Sequence, residues 1–179
     1  MILYLHKKSE REFIIIKKIT IMTTKNFIGL DSAASEKVIN CLGDLLANHQ
    51  IYYTNLRGLH WEIKGDKFFE LHGLYEEYYD KEAEVIDAVA ERIAMLGGHP
   101  ENRFSEYIKK AEIKEINNVS NWEDGLKHII SSMIIILEKY RQLFTLGKDT
   151  NDIGTMSYAR KRIGDIEANL WKLTAYTGS

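Results

Sequence analysis

The chain has 179 residues, 45% hydrophobic and 28% charged, with a formal net charge of −2. That is enough for one domain with a substantial apolar core. Its single cysteine, Cys41, excludes an intrachain disulfide framework and fits a reducing, cytoplasmic setting. No apolar run approaches the ~20 residues that span a bilayer, so no membrane association is expected.

Residues 1–21 (MILYLHKKSEREFIIIKKITI) are rich in Ile and Lys and carry no helical stripe. The apolar run Phe13–Ile16 is cut by Lys17 and Lys18, and no small-residue cleavage site follows, so this is a poor signal peptide. Met22 opens a segment that reads like the start of a folded protein. The expectation is therefore an upstream or disordered segment over 1–21 and one domain over 22–179. Residues 1–21 hold five basic and two acidic groups, which leaves −5 on the remainder. Such an acidic body suits cations better than phosphates.

Apolar positions from Val38 to Leu59 recur at three- and four-residue steps and predict a first helix over about Ser35–Trp61. Gly65 is a candidate left-handed cap and Asp66 a candidate N-cap for a second helix, about Lys67–Leu96. Gly97-Gly98-His99-Pro100 should end that helix. A short helix is expected over Phe104–Ala111. Ser120 and Glu123 form a capping-box pattern before a third long helix, with Gly147 as its stop. Asp149 or Thr150 should open a fourth, running to about Tyr176. The fold class is all-α: a ferritin-like four-helix bundle with a short extra helix in the long connection between helices two and three.

On the second helix His72 and Glu76 are four apart, as are Asp87 and Glu91. All four fall within an arc of about 100° on one side of the helix. A solvated charged face would look the same for either pair alone. The two pairs lie roughly 22 Å apart along the axis, so they cannot share an ion within one helix. Two copies packed antiparallel about a two-fold axis would bring the His72/Glu76 end of one to the Asp87/Glu91 end of the other, making two equivalent sites. His60 could add a second imidazole. Two imidazoles and a few carboxylates suit Fe(II), with positions open for an oxidant. No histidine has Glu or Asp three residues before it, which argues against a di-iron site inside one bundle.

The stretch from His60-Trp61-Glu62-Ile63-Lys64-Gly65 through Phe68-Phe69 to Leu71-His72 resembles the Dps family of mini-ferritins. So do Asp87-x-x-Ala90-Glu91-Arg92-Ile93 and Leu96-Gly97-Gly98-x-Pro100. The likeness continues at Glu106-Tyr107-Ile108, Ile113-Lys114-Glu115 and Leu170-Trp171-Lys172-Leu173, and covers about Met22 to the C-terminus. The resemblance implies a homo-oligomer, a hollow dodecamer with ferroxidase centres at two-fold dimer contacts. It implies iron ligation by His60, His72 and Glu76 of one subunit with Asp87 and Glu91 of its partner. Many relatives have Asp where Glu76 stands, so the role of Glu76 is the least defined. Trp61 matches a tryptophan that intercepts stray oxidising equivalents, although core packing would also account for it. Hydrogen peroxide is the implied oxidant. Asp80 and Glu84 lie near the stripe, as cavity nucleation carboxylates or ordinary solvated acids.

Two other readings stand beside this one. Some family members bind DNA through Lys-rich tails. Here the basic groups Lys7, Lys8, Arg11, Lys17 and Lys18 lie in residues 1–21, the C-terminal residues 174–179 are uncharged, and the body charge does not support DNA contact. A structural shell without catalysis is the third reading, which the spacing of His60, His72, Asp87 and Glu91 opposes. Cys41 reads as a small buried hydrophobe, and Asp149 and Asp152 as acids in a loop and a helix start.

Overall fold

The computed structural model describes residues 26–178. The expectations for residues 1–21 and for the Met22 start lie outside the described residues. Among these, five α-helices and no strand are found: α1 Ser32–Glu62, α2 Phe68–Met95, α3 Phe104–Lys110, α4 Trp122–Asp149 and α5 Ile153–Thr177. The four long helices form a bundle. α1 packs along α2 and α4, α4 along α5, and the short α3 against α1. No described helix is long and apolar enough to cross a membrane.

The bundle closes because each long helix carries an apolar face at helical spacing. Val38, Leu42, Leu45 and Leu56 of α1, Leu71 and Val89 of α2, Leu126, Ile129 and Leu143 of α4, and Ala159 of α5 are all essentially shielded from solvent. Each such leucine or isoleucine contributes about 1.5–3 kcal/mol by burial. Cys41 is buried as expected, and desolvation pushes its thiol up to about 11.

The helix boundaries amend the expectations in four places, three of them on α4 and α5. The N-cap of α4 is Asn121, not Ser120: Asn121 Oδ1 accepts from Asp124 N at 3.0 Å. Ser120 is committed elsewhere, its carbonyl accepting from Lys64 N at 3.2 Å. Gly147 does not stop α4, which runs on to Asp149. It is buried in the last turn, where an added Cβ would meet Met156 Cγ and N at 3.1 Å, so glycine permits the close passage of α5. The fourth long helix is capped by Asp152, not by Asp149 or Thr150. Asp152 accepts from Thr155 N at 3.0 Å and Thr155 Oγ1 at 2.5 Å, and pairs with Arg92 Nη2 at 2.6 Å. It is thus an internal cap and ion-pair member.

The other stops hold. Gly97 takes a left-handed φ of +89° just past α2, and Gly98 N donates to Ile93 O at 3.0 Å. Asp66 does not cap α2, whose cap position is Lys67 with no side-chain cap bond. The long link from α2 to α4 crosses the bundle and is pinned to α1 by two asparagines. Asn48 Oδ1 accepts from Glu112 N and Ile113 N, both at 3.0 Å. Asn55 accepts from Ile116 N at 3.2 Å and donates to Lys114 O at 2.9 Å.

Candidate metal centre

The short link 63–67 turns the chain back, so the last turn of α1 lies beside the first turns of α2. This brings His60 and His72 together. Their rings stack with centroids 3.8 Å apart and planes 21° apart, and Phe68 stacks on the far face of His72 at 4.8 Å. His60 Nδ1 bonds the carbonyl of His72, and His72 Nδ1 the carbonyl of His60, each at 2.9 Å. A carbonyl only accepts, so each Nδ1 carries a proton, and in the neutral ring Nε2 keeps its lone pair. The His60 carbonyl belongs to the last turn of α1, where helix carbonyls lack an intrahelical donor, and the His72 ring supplies one. Each ring therefore fixes the tautomer of its own free nitrogen while tying the two helices together.

Tyr79 stands edge-on to His60 at 5.4 Å and Tyr53 edge-on to Tyr79 at 6.3 Å. Trp61 is 65% exposed, which corrects the core-packing reading; its ring is covered by the Arg57 guanidinium at 4.9 Å. Arg57 also lies over Tyr53 at 5.5 Å.

On α2 the buried residues Leu71, Tyr75, Tyr78, Glu82, Val85, Val89 and Ile93 form the core face. The stripe of His72, Glu76, Asp87 and Glu91 lies about 150° around the helix from that face. His72 is half-buried; Glu76, Asp87 and Glu91 are exposed, as are Asp80 and Glu84. Tyr79 Oη donates to Glu76 Oε1 at 3.4 Å. All four stripe residues sit in one unbroken helix, so Asp87 and Glu91 stay far from His72 within a single chain. Among the described residues, no three His, Cys, Asp or Glu side chains of one chain converge on a metal-sized gap.

A second polar centre escaped the sequence reading. His49 of α1 is fully buried at the middle of the bundle. Its Nδ1 contacts the Glu82 carboxylate of α2, and its Nε2 lies 2.9 Å from Tyr140 Oη of α4. Tyr140 Oη is 3.4 Å from Tyr158 Oη of α5, so all four long helices contribute. The available signal was position: His49 and Glu82 sit at core spacing, between Leu46 and Tyr52 and between Tyr78 and Val85. His99 and His128 are exposed, and His6 lies outside the described residues.

Comparison with known proteins agrees with this architecture. The family model for the ferritin-like domain matches residues 39–179. The DNA protection during starvation protein of Porphyromonas gingivalis is 42% identical over 148 residues, covering 83% of this chain and 93% of that protein. An uncharacterised protein of Haemophilus influenzae is 38% identical over 152 residues, covering 85% of this chain and 95% of its own. The crystal structure of a Dps protein from Vibrio cholerae O1, described as a ferritin-like diiron-carboxylate protein, superposes with a TM-score of 0.85 at 38% identity. It covers 86% of this chain and 97% of that one. A four-helix bundle with this crossover, matched along most of its length by these relatives, places the chain in the Dps family of ferritin-like proteins.

Proposed function

We propose that this protein is a ferroxidase and iron store: it oxidises Fe(II), by preference with hydrogen peroxide, and keeps the Fe(III) inside a hollow shell of identical subunits. The observation that carries this reading is the reciprocal tether of His60 and His72. Histidines that bind metal usually donate their other ring nitrogen to a carbonyl or carboxylate, which orients the ring and fixes the tautomer. Here both Nδ1 donors are already engaged and both Nε2 lone pairs are free, side by side. Two imidazoles with nearby carboxylates suit a first-row divalent ion such as Fe(II).

The stripe faces away from its own bundle, so the remaining ligands must come from another copy. In this reading His60, His72 and Glu76 act with Asp87 and Glu91 of the partner subunit across a two-fold contact, and twelve subunits close the shell. Iron is the substrate. Two ferrous ions each give one electron to one hydrogen peroxide; its O–O bond breaks, and two protons complete two waters. Because both electrons are delivered together, no hydroxyl radical is released. The carboxylates offset the charge of incoming iron, and the product ferric ions hydrolyse to oxide in the cavity. Trp61, adjacent to His60 in sequence, takes up equivalents that escape the pairing. Membership of the ferritin-like family and the diiron-carboxylate description of the V. cholerae relative support this assignment.

The test is to load the metal-free protein with Fe(II) anaerobically, inject hydrogen peroxide, and follow Fe(III) absorbance on the shell-sized fraction. Rapid oxidation, with one peroxide consumed per pair of irons and soluble Fe(III) kept in the shell, is expected. His72→Ala and Asp87→Ala should each slow it while the shell still assembles. Oxidation no faster than in buffer, with ferric precipitate, would overturn the reading.

A further inference from the structure

The His49 centre is more ordered than a buried histidine requires. An ionised Glu82 only accepts, so His49 Nδ1 is its donor, and in the neutral imidazole Nε2 then accepts from Tyr140 Oη at 2.9 Å. Phenol, imidazole and carboxylate thus form a directed chain from α4 through α1 to α2. Proton movement along it needs no rearrangement and no water. The Arg162 guanidinium lies over the Tyr140 ring at 6.0 Å. Its charge opposes a phenol radical cation, so an electron can leave Tyr140 only if the proton leaves too. Burial, reinforced by Tyr158, holds the Tyr140 phenol well above its ordinary value, so phenolate is not an alternative starting form.

A series of aromatic contacts also leads from α1 to the surface. Tyr53 stands four residues after His49 on α1, about 6 Å of helix rise. From Tyr53 the aromatic contacts continue to Tyr79 at 6.3 Å and from Tyr79 to His60 at 5.4 Å. The Arg57 guanidinium bridges Tyr53 to the exposed indole of Trp61. The metal-centre ligands make no use of Tyr140, His49, Glu82 or Tyr158.

We propose that Tyr140, His49 and Glu82 form an internal one-electron trap, in which Tyr140 is oxidised to a neutral tyrosyl radical while its proton is held on His49. The oxidant is a neutral tryptophanyl radical at the surface. It takes one electron from Tyr140 and one proton from solvent, and returns to indole. The Tyr140 O–H proton moves to His49 Nε2, and Glu82 balances the resulting imidazolium. One electron from a ferrous ion resets the site, the proton returning from His49 to the phenol as Fe(II) becomes Fe(III). Only the physiological source of the oxidant rests on the iron–peroxide reading.

The test needs no iron. Azide radical generated by pulse radiolysis oxidises exposed indoles of the assembled, iron-free protein, and transient absorbance follows the radical thereafter. The tryptophanyl signal should decay into a long-lived tyrosyl signal. That signal should be lost in Tyr140→Phe, which removes only the hydroxyl, and kept in Tyr158→Phe. Glu82→Gln, which still accepts from His49 but carries no charge, should slow its formation. A long-lived signal unchanged in Tyr140→Phe, or no long-lived tyrosyl signal in the unmodified protein, overturns the proposal. Because no iron is present, these results are independent of the ferroxidase test: failed iron oxidation would sink the proposed function and leave the trap standing.

Discussion

Two histidine centres lie about 16 Å apart along α1, eleven residues of one helix, and they are built on opposite plans. At the middle of the bundle both nitrogens of His49 are spent on neighbours, Glu82 and Tyr140. At the end of the bundle His60 and His72 each spend one nitrogen on a carbonyl and keep the other. The first plan satisfies a buried group completely; the second holds an imidazole in place and leaves one of its nitrogens uncommitted. The same residue type thus serves closure in one place and readiness in the other, and the difference is how many of its polar atoms the fold consumes.

Breaking the closed centre should cost the most. His49→Ala leaves the Glu82 carboxylate and the Tyr140 hydroxyl buried without their partner and should destabilise the fold by about 3–5 kcal/mol. Chemical denaturation would read this, and a loss below about 1 kcal/mol would mean that water replaces the imidazole.

The Arg92–Asp152 pair tests the same logic nearer the surface. Burial works to raise the Asp152 carboxyl, but the bonds from Thr155 and Arg92 outweigh it and hold the group below its ordinary value. A folded value below the unfolded one gives stability that is present at neutral pH and is lost as pH falls through the folded value. Asp152→Asn should cost about 2 kcal/mol at neutral pH and should flatten the acid limb of a stability–pH curve. An unchanged acid limb would remove Asp152 from its causes.

At the open centre the pattern should invert. His60→Ala should change subunit stability by no more than about 1 kcal/mol, yet the initial rate of iron oxidation should fall sharply. Equal losses in stability and rate would erase the distinction between the two centres. The smallest effect belongs to Trp61→Phe. It should leave stability within about 0.5 kcal/mol and the iron oxidation rate unchanged, while mass spectrometry of peroxide-treated protein finds more oxidised side chains elsewhere.

The bundle was legible because its determinants are local. Leucine and isoleucine spacing marks the helices, Gly97 ends α2, and the stretch from His60 to His72 spans one turn of chain. What escaped depends on partners distant in sequence. Glu82 stands among Glu76, Glu77, Asp80 and Glu84, and a carboxylate in such company reads as solvated. Its burial becomes visible only when His49, thirty-three residues earlier, is set against it. Gly147 looked like a stop because the need for glycine there comes from Met156 on the next helix. Asn121 displaced Ser120 as a cap because the Ser120 carbonyl is used by the link after α1.

The crossover pinned by Asn48 and Asn55 has a consequence for dynamics. Outside α3 its backbone has no helix of its own, yet Glu112, Ile113 and Ile116 each donate their amide to an asparagine side chain. Those amide hydrogens can exchange with solvent only when the carboxamides let go, which requires α1 to part from the segment it holds. A stretch that would ordinarily be the first to open is therefore timed by the opening of the bundle itself, and its hydrogen exchange should keep pace with that of the neighbouring helix.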